Sequence, residues 1–82
     1  GLTVDPNNAT AAYNLGIYQV TLGNKSEAVR LWQLAIKNDP DLVDPYKSLA
    51  IYYLYDKKDT NQARIFNKKY EKISGNKGIP GI

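Results

Sequence analysis

Small and apolar residues recur along the first half of the chain at intervals of three and four. Two segments show this spacing, the first at Ala12, Leu15 and Gly16, the second at Ala28, Leu31, Trp32, Ala35 and Ile36. Residues three and four apart lie on the same face of a helix, so each segment predicts one helix with a buried stripe.

The residues that follow each segment carry signals for ending one helix and starting the next. Gly23 can adopt the left-handed conformation that closes a helix, and Asn24 or Ser26 can cap the following one. Asp39-Pro40 ends the second helix, because proline lacks an amide hydrogen and restricts the residue before it. We therefore predict a helical hairpin within residues 9–42.

A second pair of helices is predicted within residues 43–73. Asp44 is placed to cap a third helix, with Pro45 in its first turn, and this helix is expected to run to about Tyr55. A fourth helix is predicted over about residues 60–73. The chain is thus expected to be all-α, with about four helices.

The two ends of the chain differ from these helical segments. Residues 1–8 are interpreted as the end of a preceding repeat or a linker. Residues 74–82 are rich in glycine and proline, and they predict a flexible tail that is either loose or draped over the last helix.

The two helical pairs are copies of one pattern. A shift of 34 residues aligns four pairs, Leu15 with Leu49, Gly16 with Ala50, Ile17 with Ile51 and Tyr18 with Tyr52. One extra residue in the YDKKDT turn then aligns Ala28 with Ala63 and Leu31 with Phe66. A fixed period of this length is typical of stacked helical units.

Composition narrows the classes of function. The chain has no cysteine and no histidine, so thiol nucleophiles, disulfides and the usual zinc sites are excluded. No nucleophile has an evident base beside it, and we expect neither an enzyme nor a cofactor. No apolar run is long enough to cross a membrane. The cytoplasm is favoured as the location, although the absence of cysteine is equally compatible with an oxidising compartment.

Charge is divided unevenly along the chain. Residues 1–46 carry three basic and five acidic side chains, whereas residues 47–82 carry eight basic and three acidic ones. A basic cluster is predicted on the fourth helix at Arg64, Lys68, Lys69 and Lys72. Phosphate contacts could use these cations, but no base-reading motif accompanies them, so a solvated lysine face is favoured over nucleic-acid binding.

The first unit resembles the tetratricopeptide repeat in its length and its key positions. The resemblance rests on Leu15-Gly16, Ala28, Trp32, Ala35 and Pro40, within the 34 residues from Ala9 to Leu42. The second unit keeps Tyr46, Leu49, Ala50, Tyr53 and Ala63. It departs from the pattern at Asn67, where the first unit has Trp32, so its second helix is expected to be shifted or rotated. Pentatricopeptide repeats have a similar length, but they fit the Leu-Gly pair and the Asp-Pro boundary less well.

This resemblance implies a short right-handed α-solenoid that binds a peptide or a helix of a partner protein on its concave wall. The residues that it places on this wall, at the positions used for contact, are Tyr13, Asn14, Ile17, Val20, Lys47, Ser48, Ile51, Leu54 and Tyr55. Packing within the chain is an equally weighted alternative for Ile17 and Ile51. A different role is structural, since two units leave apolar ends that self-association into a dimer or larger assembly would cover.

Overall fold

The computed structural model describes residues 8–82, which form four α-helices and one π-helical segment. The helices are α1 (Ala9–Thr21), α2 (Lys25–Asn38), α3 (Asp44–Ile51) and α4 (Thr60–Ser74). The π-helical segment Tyr52–Asp56, called the π segment below, continues α3 directly. Residues 8–82 contain no β-strand, which confirms the predicted all-α class.

Short polar side chains begin two of the helices. The Asn8 side chain accepts a hydrogen bond from the amide of Ala11 (2.9 Å) at the start of α1, and Asp59 accepts one from Gln62 (3.1 Å) at the start of α4. These contacts satisfy amides that have no partner inside the helix. Asn8 is therefore a helix cap, and the rest of the predicted preceding segment, residues 1–7, lies outside the described residues.

The start of α3 differs from the sequence prediction. Asp44 was expected to cap this helix, but it is the first helical residue, and Val43 occupies the cap position without a side-chain hydrogen bond. The carboxylate of Asp44 instead lies in the first turn, where the helix dipole favours a negative charge. Pro45 lies in the same turn, as predicted, where its missing amide hydrogen is not needed.

Consecutive helices pack in pairs. The first pair is α1 with α2. The second pair is formed by α4 with α3 and the π segment, and α2 also contacts α3. One buried cluster at the first pair contains Ala9, Ala12 and Ala35. A second cluster, formed by Ala28, Trp32 and Leu49, connects α2 to α3. The small alanines let the helices approach closely, and the larger side chains fill the space beside them.

The π segment accommodates the one-residue insertion in the second unit. The amide of Lys57 donates to the carbonyl of Tyr52, five residues back (3.2 Å), which is the π-helical pattern. The amide of Asp59 donates a hydrogen bond to the carbonyl of Tyr53, six residues back (2.7 Å). In the first unit the corresponding bond runs from the amide of Asn24 to the carbonyl of Gln19, only five residues back (2.8 Å). The turns themselves, residues 22–24 and 57–59, have equal lengths.

The connection between α2 and α3 is held by Tyr46, which is only 4% exposed. Its hydroxyl donates a hydrogen bond to the carbonyl of Pro40 (2.7 Å). Burial raises the pKa of the Tyr46 hydroxyl above its usual value, and the negative charges of Asp41 and Asp39 raise this pKa further. Tyr46 thus links the first turn of α3 to the start of the connection that precedes it.

Residues 75–82 fold back over α4. Gly75 ends the helix in the left-handed conformation (φ 74°), as glycine commonly does at this position. The backbone then returns so that Gly78 and Ile79 are hydrogen-bonded to side chains of Glu71 and Asn67. This segment is therefore packed against the helix that precedes it.

Candidate protein-binding surface

The nine residues predicted to contact a partner are distributed over three neighbouring elements. Tyr13, Asn14, Ile17 and Val20 lie on α1; Lys47, Ser48 and Ile51 lie on α3; Leu54 and Tyr55 lie on the π segment. They are called the predicted contact residues below.

Three of the predicted contact residues expose large apolar side chains. Ile17 is 41% exposed, Ile51 is 42% exposed and Tyr55 is 63% exposed. Ile17 and Ile51 occupy matching positions in the 34-residue shift, and they are exposed to nearly the same degree. A single exposed apolar residue is ordinary, but here both units expose an isoleucine at the same position of the repeat.

Four other predicted contact residues, Tyr13, Val20, Ser48 and Leu54, are half-buried. Tyr13 and Val20 both pack against the buried cluster that contains Trp32 and Leu49. These side chains therefore contribute to the contact between the helices and present only part of their surface to solvent.

A cavity of about 180 Å³ lies between the first and second helical pairs. Its apolar walls come from Val20, Trp32, Ile51 and Tyr52, and Ser48 contributes a hydroxyl-bearing side chain. An apolar cavity somewhat smaller than this, about 150 Å³, can bind a molecule the size of benzene. The cavity is thus large enough for one apolar side chain of a partner.

An ion pair borders this cavity. Lys25, in the first turn of α2, places its Nζ atom 2.8 Å from Oδ2 of Asp56, the last residue of the π segment. Both side chains also line the cavity. Such a solvent-exposed pair contributes about 0.2–1 kcal/mol to stability. Its chief structural effect is to place one positive and one negative group beside an apolar surface.

Lys47 contacts another part of the chain. Its Nζ atom lies 5.7 Å from the centre of the Tyr70 ring, within the range of a cation–π interaction. This contact directs the ammonium group of Lys47 toward α4. Lys47 and Ser48 are adjacent in sequence, but only Ser48 is among the residues that line the cavity.

Sequence reasoning did not include several residues that line the cavity. Trp32 was assigned to packing between helices, and Tyr52 was recognised only as a repeat match of Tyr18. Tyr52 could have been found, because it lies four residues after Ser48 and so shares its helix face. No local signal pairs Lys25 with Asp56, since the two residues are brought together only by the packing of α2 against α3.

Within residues 8–82, no group of three or more acidic, cysteine or histidine side chains could hold a metal ion. The same residues include no helix that is long and apolar enough to span a membrane. Comparison of the chain with protein-family models, curated proteins and solved structures found no match.

Proposed function

We propose that this chain is a protein-protein interaction module built from two units of the tetratricopeptide type, stacked as a short right-handed α-solenoid. The paired packing of consecutive helices supports this architecture. The backbone at matching turn positions supports it as well, since Gly23 (φ 82°) and Lys58 (φ 55°) both have left-handed conformations. The module binds a peptide or helix of a partner and does not act as an enzyme.

The observation that carries this proposal is the matched exposure of Ile17 and Ile51, together with the largely apolar cavity that Ile51 lines. An apolar surface with a polar border is typical of interaction sites in proteins. Apolar side chains supply most of the binding energy in such sites, and polar groups at the edge set the orientation of the partner.

The cavity also indicates which chemistry a partner presents. One apolar side chain of a bound peptide or helix would enter between Trp32 and Ile51, while the Lys25–Asp56 pair offers hydrogen bonds to polar groups beside it. Ile17 extends the apolar surface onto α1. The partner is therefore an amphipathic helix or an extended peptide with spaced apolar residues.

The experiment that tests this proposal is selection from a displayed library of random peptides, followed by affinity measurements with the selected peptides. We expect Ile51→Arg to weaken binding by about tenfold or more, because it places a charge in the apolar surface. The matched control is Ile65→Arg, which changes the same residue type at similar exposure (47%) on α4 and should leave affinity unchanged. Equal affinity for the wild-type and Ile51→Arg chains would overturn the proposal.

Self-association is a second candidate function, and exposed apolar residues elsewhere on the chain favour it. Tyr18 is 48% exposed and Leu22 is 55% exposed, so part of α1 and of the turn after it could meet another copy. Light scattering during size-exclusion chromatography, over a range of protein concentrations, separates the two functions. A stable dimer that Leu22→Lys dissociates would support self-association, and a monomer at all concentrations would exclude it.

A further inference from the structure

Asn67 on α4 binds the backbone of the segment that follows the helix. Its side chain is 2% exposed. Oδ1 accepts a hydrogen bond from the amide of Ile79 (2.7 Å), and Nδ2 donates one to the carbonyl of the same residue (3.1 Å). One amide side chain thus satisfies both backbone groups of a single residue, as a neighbouring β-strand does in an antiparallel sheet.

Gly78, the residue before Ile79, is also hydrogen-bonded to a side chain of α4. The amide of Gly78 donates a hydrogen bond to a carboxylate oxygen of Glu71 (3.1 Å). A Cβ atom on Gly78 would lie 1.9 Å from Oδ1 of Asn67 and 3.3 Å from Cδ1 of Tyr70. Only glycine therefore fits at this position while the hydrogen bonds of Asn67 are kept.

These contacts are made to the backbone of Gly78 and Ile79, and they require that residue 78 has no side chain. Three backbone groups of two consecutive residues are bound, and each one is present in any polypeptide that has glycine followed by a residue other than proline. Hydrogen bonding to the backbone of a peptide is a general mode of peptide recognition. The only sequence requirement set by these contacts is the glycine.

We propose that Asn67, Tyr70 and Glu71 form a binding site for a glycine-containing polypeptide segment, and that Gly78 and Ile79 occupy this site within the chain itself. A glycine-containing segment of a partner can replace them. This site differs from the surface around Ile51 in its elements and its chemistry. It does not depend on the proposed function.

Buried Asn67 explains why the site is occupied within the chain. An amide side chain with unsatisfied hydrogen-bonding groups is unfavourable when it is removed from water. The intramolecular segment is attached through only a few residues after Gly75, so its effective concentration at the site is high. A partner segment must compete with it, and its apparent affinity falls in proportion to the fraction of sites that are free.

The test uses the full chain and a fluorescent synthetic peptide with the sequence of residues 76–82, NKGIPGI. Gly78→Ala in the chain disrupts the intramolecular contact and leaves the three site residues unchanged. We expect the Gly78→Ala chain to bind the peptide at least about tenfold more tightly than the wild-type chain, measured by fluorescence anisotropy. Lys77→Ala, which changes an exposed neighbour, is the matched control and should behave as wild type.

Two further arms connect the binding to the site. A peptide with alanine in place of its first glycine should not bind the Gly78→Ala chain, and a chain with both Asn67→Ala and Gly78→Ala should lose the affinity for the original peptide. Ile79→Pro removes the amide hydrogen that Asn67 accepts, and it offers a second way to free the site. Far-UV circular dichroism checks that each variant is folded.

The result that would overturn the proposal is equal binding of the glycine and alanine peptides, or no saturable binding, by folded Gly78→Ala and Ile79→Pro chains. Tight binding of the peptide to the wild-type chain would also contradict it, because the site would then not be occupied by Gly78 and Ile79.

Discussion

The indole of Trp32 on α2 lies directly over Gly16 on α1. A Cβ atom on Gly16 would be 2.5 Å from Nε1 of Trp32 and 2.7 Å from Cδ1, distances that real Cβ atoms do not tolerate. Among the described residues, no group accepts a hydrogen bond from this buried Nε1 atom. In the second unit Ala50 matches Gly16 and Asn67 matches Trp32. The helix position that gains a Cβ atom in the second unit is thus accompanied by a side chain smaller than tryptophan.

The Gly16–Trp32 contact predicts an unusual result for a glycine in the interior of a helix. Gly→Ala at such a position is normally stabilising by about 0.5–1 kcal/mol. We expect Gly16→Ala to lower the free energy of unfolding by about 1–3 kcal/mol instead, because the added methyl group displaces the indole. Urea denaturation measures this change.

A double-variant cycle attributes the effect of Gly16→Ala to this contact. Trp32→Phe removes the Nε1 atom that the new methyl group would meet, so Gly16→Ala should cost less in the Trp32→Phe chain than in the wild-type chain. Additive effects of the two substitutions would show that the destabilisation has another origin.

Substitutions at the two matching turn positions, 23 and 58, are predicted to have opposite effects, because glycine is favoured at both. Gly23 and Lys58 occupy matching positions and both have positive φ, which costs a residue other than glycine about 1–2 kcal/mol. Gly23→Ala should therefore destabilise the chain by about 1 kcal/mol. Its Cβ atom would meet no atom within 4 Å, so backbone strain is the only cause. Lys58→Gly should stabilise the chain by up to about 1 kcal/mol, because it relieves this strain. The gain is reduced by the larger conformational entropy that glycine gives the unfolded chain. Thermal unfolding of both variants tests this pair, and a change of the same sign in both would contradict it.

The raised pKa of Tyr46 predicts a dependence of stability on alkaline pH. The folded chain holds the Tyr46 proton more tightly than the unfolded chain, whose tyrosines titrate near pH 10. The stabilisation from Tyr46 is therefore present below about pH 10 and is lost as pH rises through the folded-state pKa.

Tyr46→Phe isolates this contribution, because it removes both the ionisable group and the hydrogen bond to Pro40. At neutral pH we expect this variant to be less stable than wild type by about 0.5–1.5 kcal/mol. The difference should shrink above about pH 10, as measured by urea denaturation at several pH values. A difference that stays constant or grows with pH would show that burial of Tyr46 does not favour its neutral form.

The helices were largely predictable from the sequence because their signals are local. The spacing of Leu15 and Gly16, the turn at Gly23 and the proline at position 40 each act within a few residues, and the helices lie within a few residues of their predicted bounds. The π segment was not predictable in this way. An extra residue in a turn and an extra residue in the preceding helix give the same sequence alignment, and only the hydrogen bonds distinguish them.

The candidate surface was predictable in part for a similar reason. The sequence placed Ile17 and Ile51 at matching helix positions but weighed their exposure equally against packing within the chain. It also could not show that Lys47 turns toward Tyr70 on another helix. Asn67 was recognised only as a departure from the repeat pattern. Its partner, Ile79, lies twelve residues away in a segment with no periodic pattern, so no sequence signal connects the two.

The measurement that most directly tests the central claim is a two-dimensional ¹H–¹⁵N NMR titration of the labelled chain with a library-selected peptide. Trp32 is the only tryptophan in the chain and lines the cavity, so its indole N–H signal reports on that site without ambiguity. We predict that the largest shifts occur at this signal and at the amides of Ser48, Ile51 and Tyr52. Shifts confined to α4, with the Trp32 signal unchanged, would contradict the claim that this surface binds the partner.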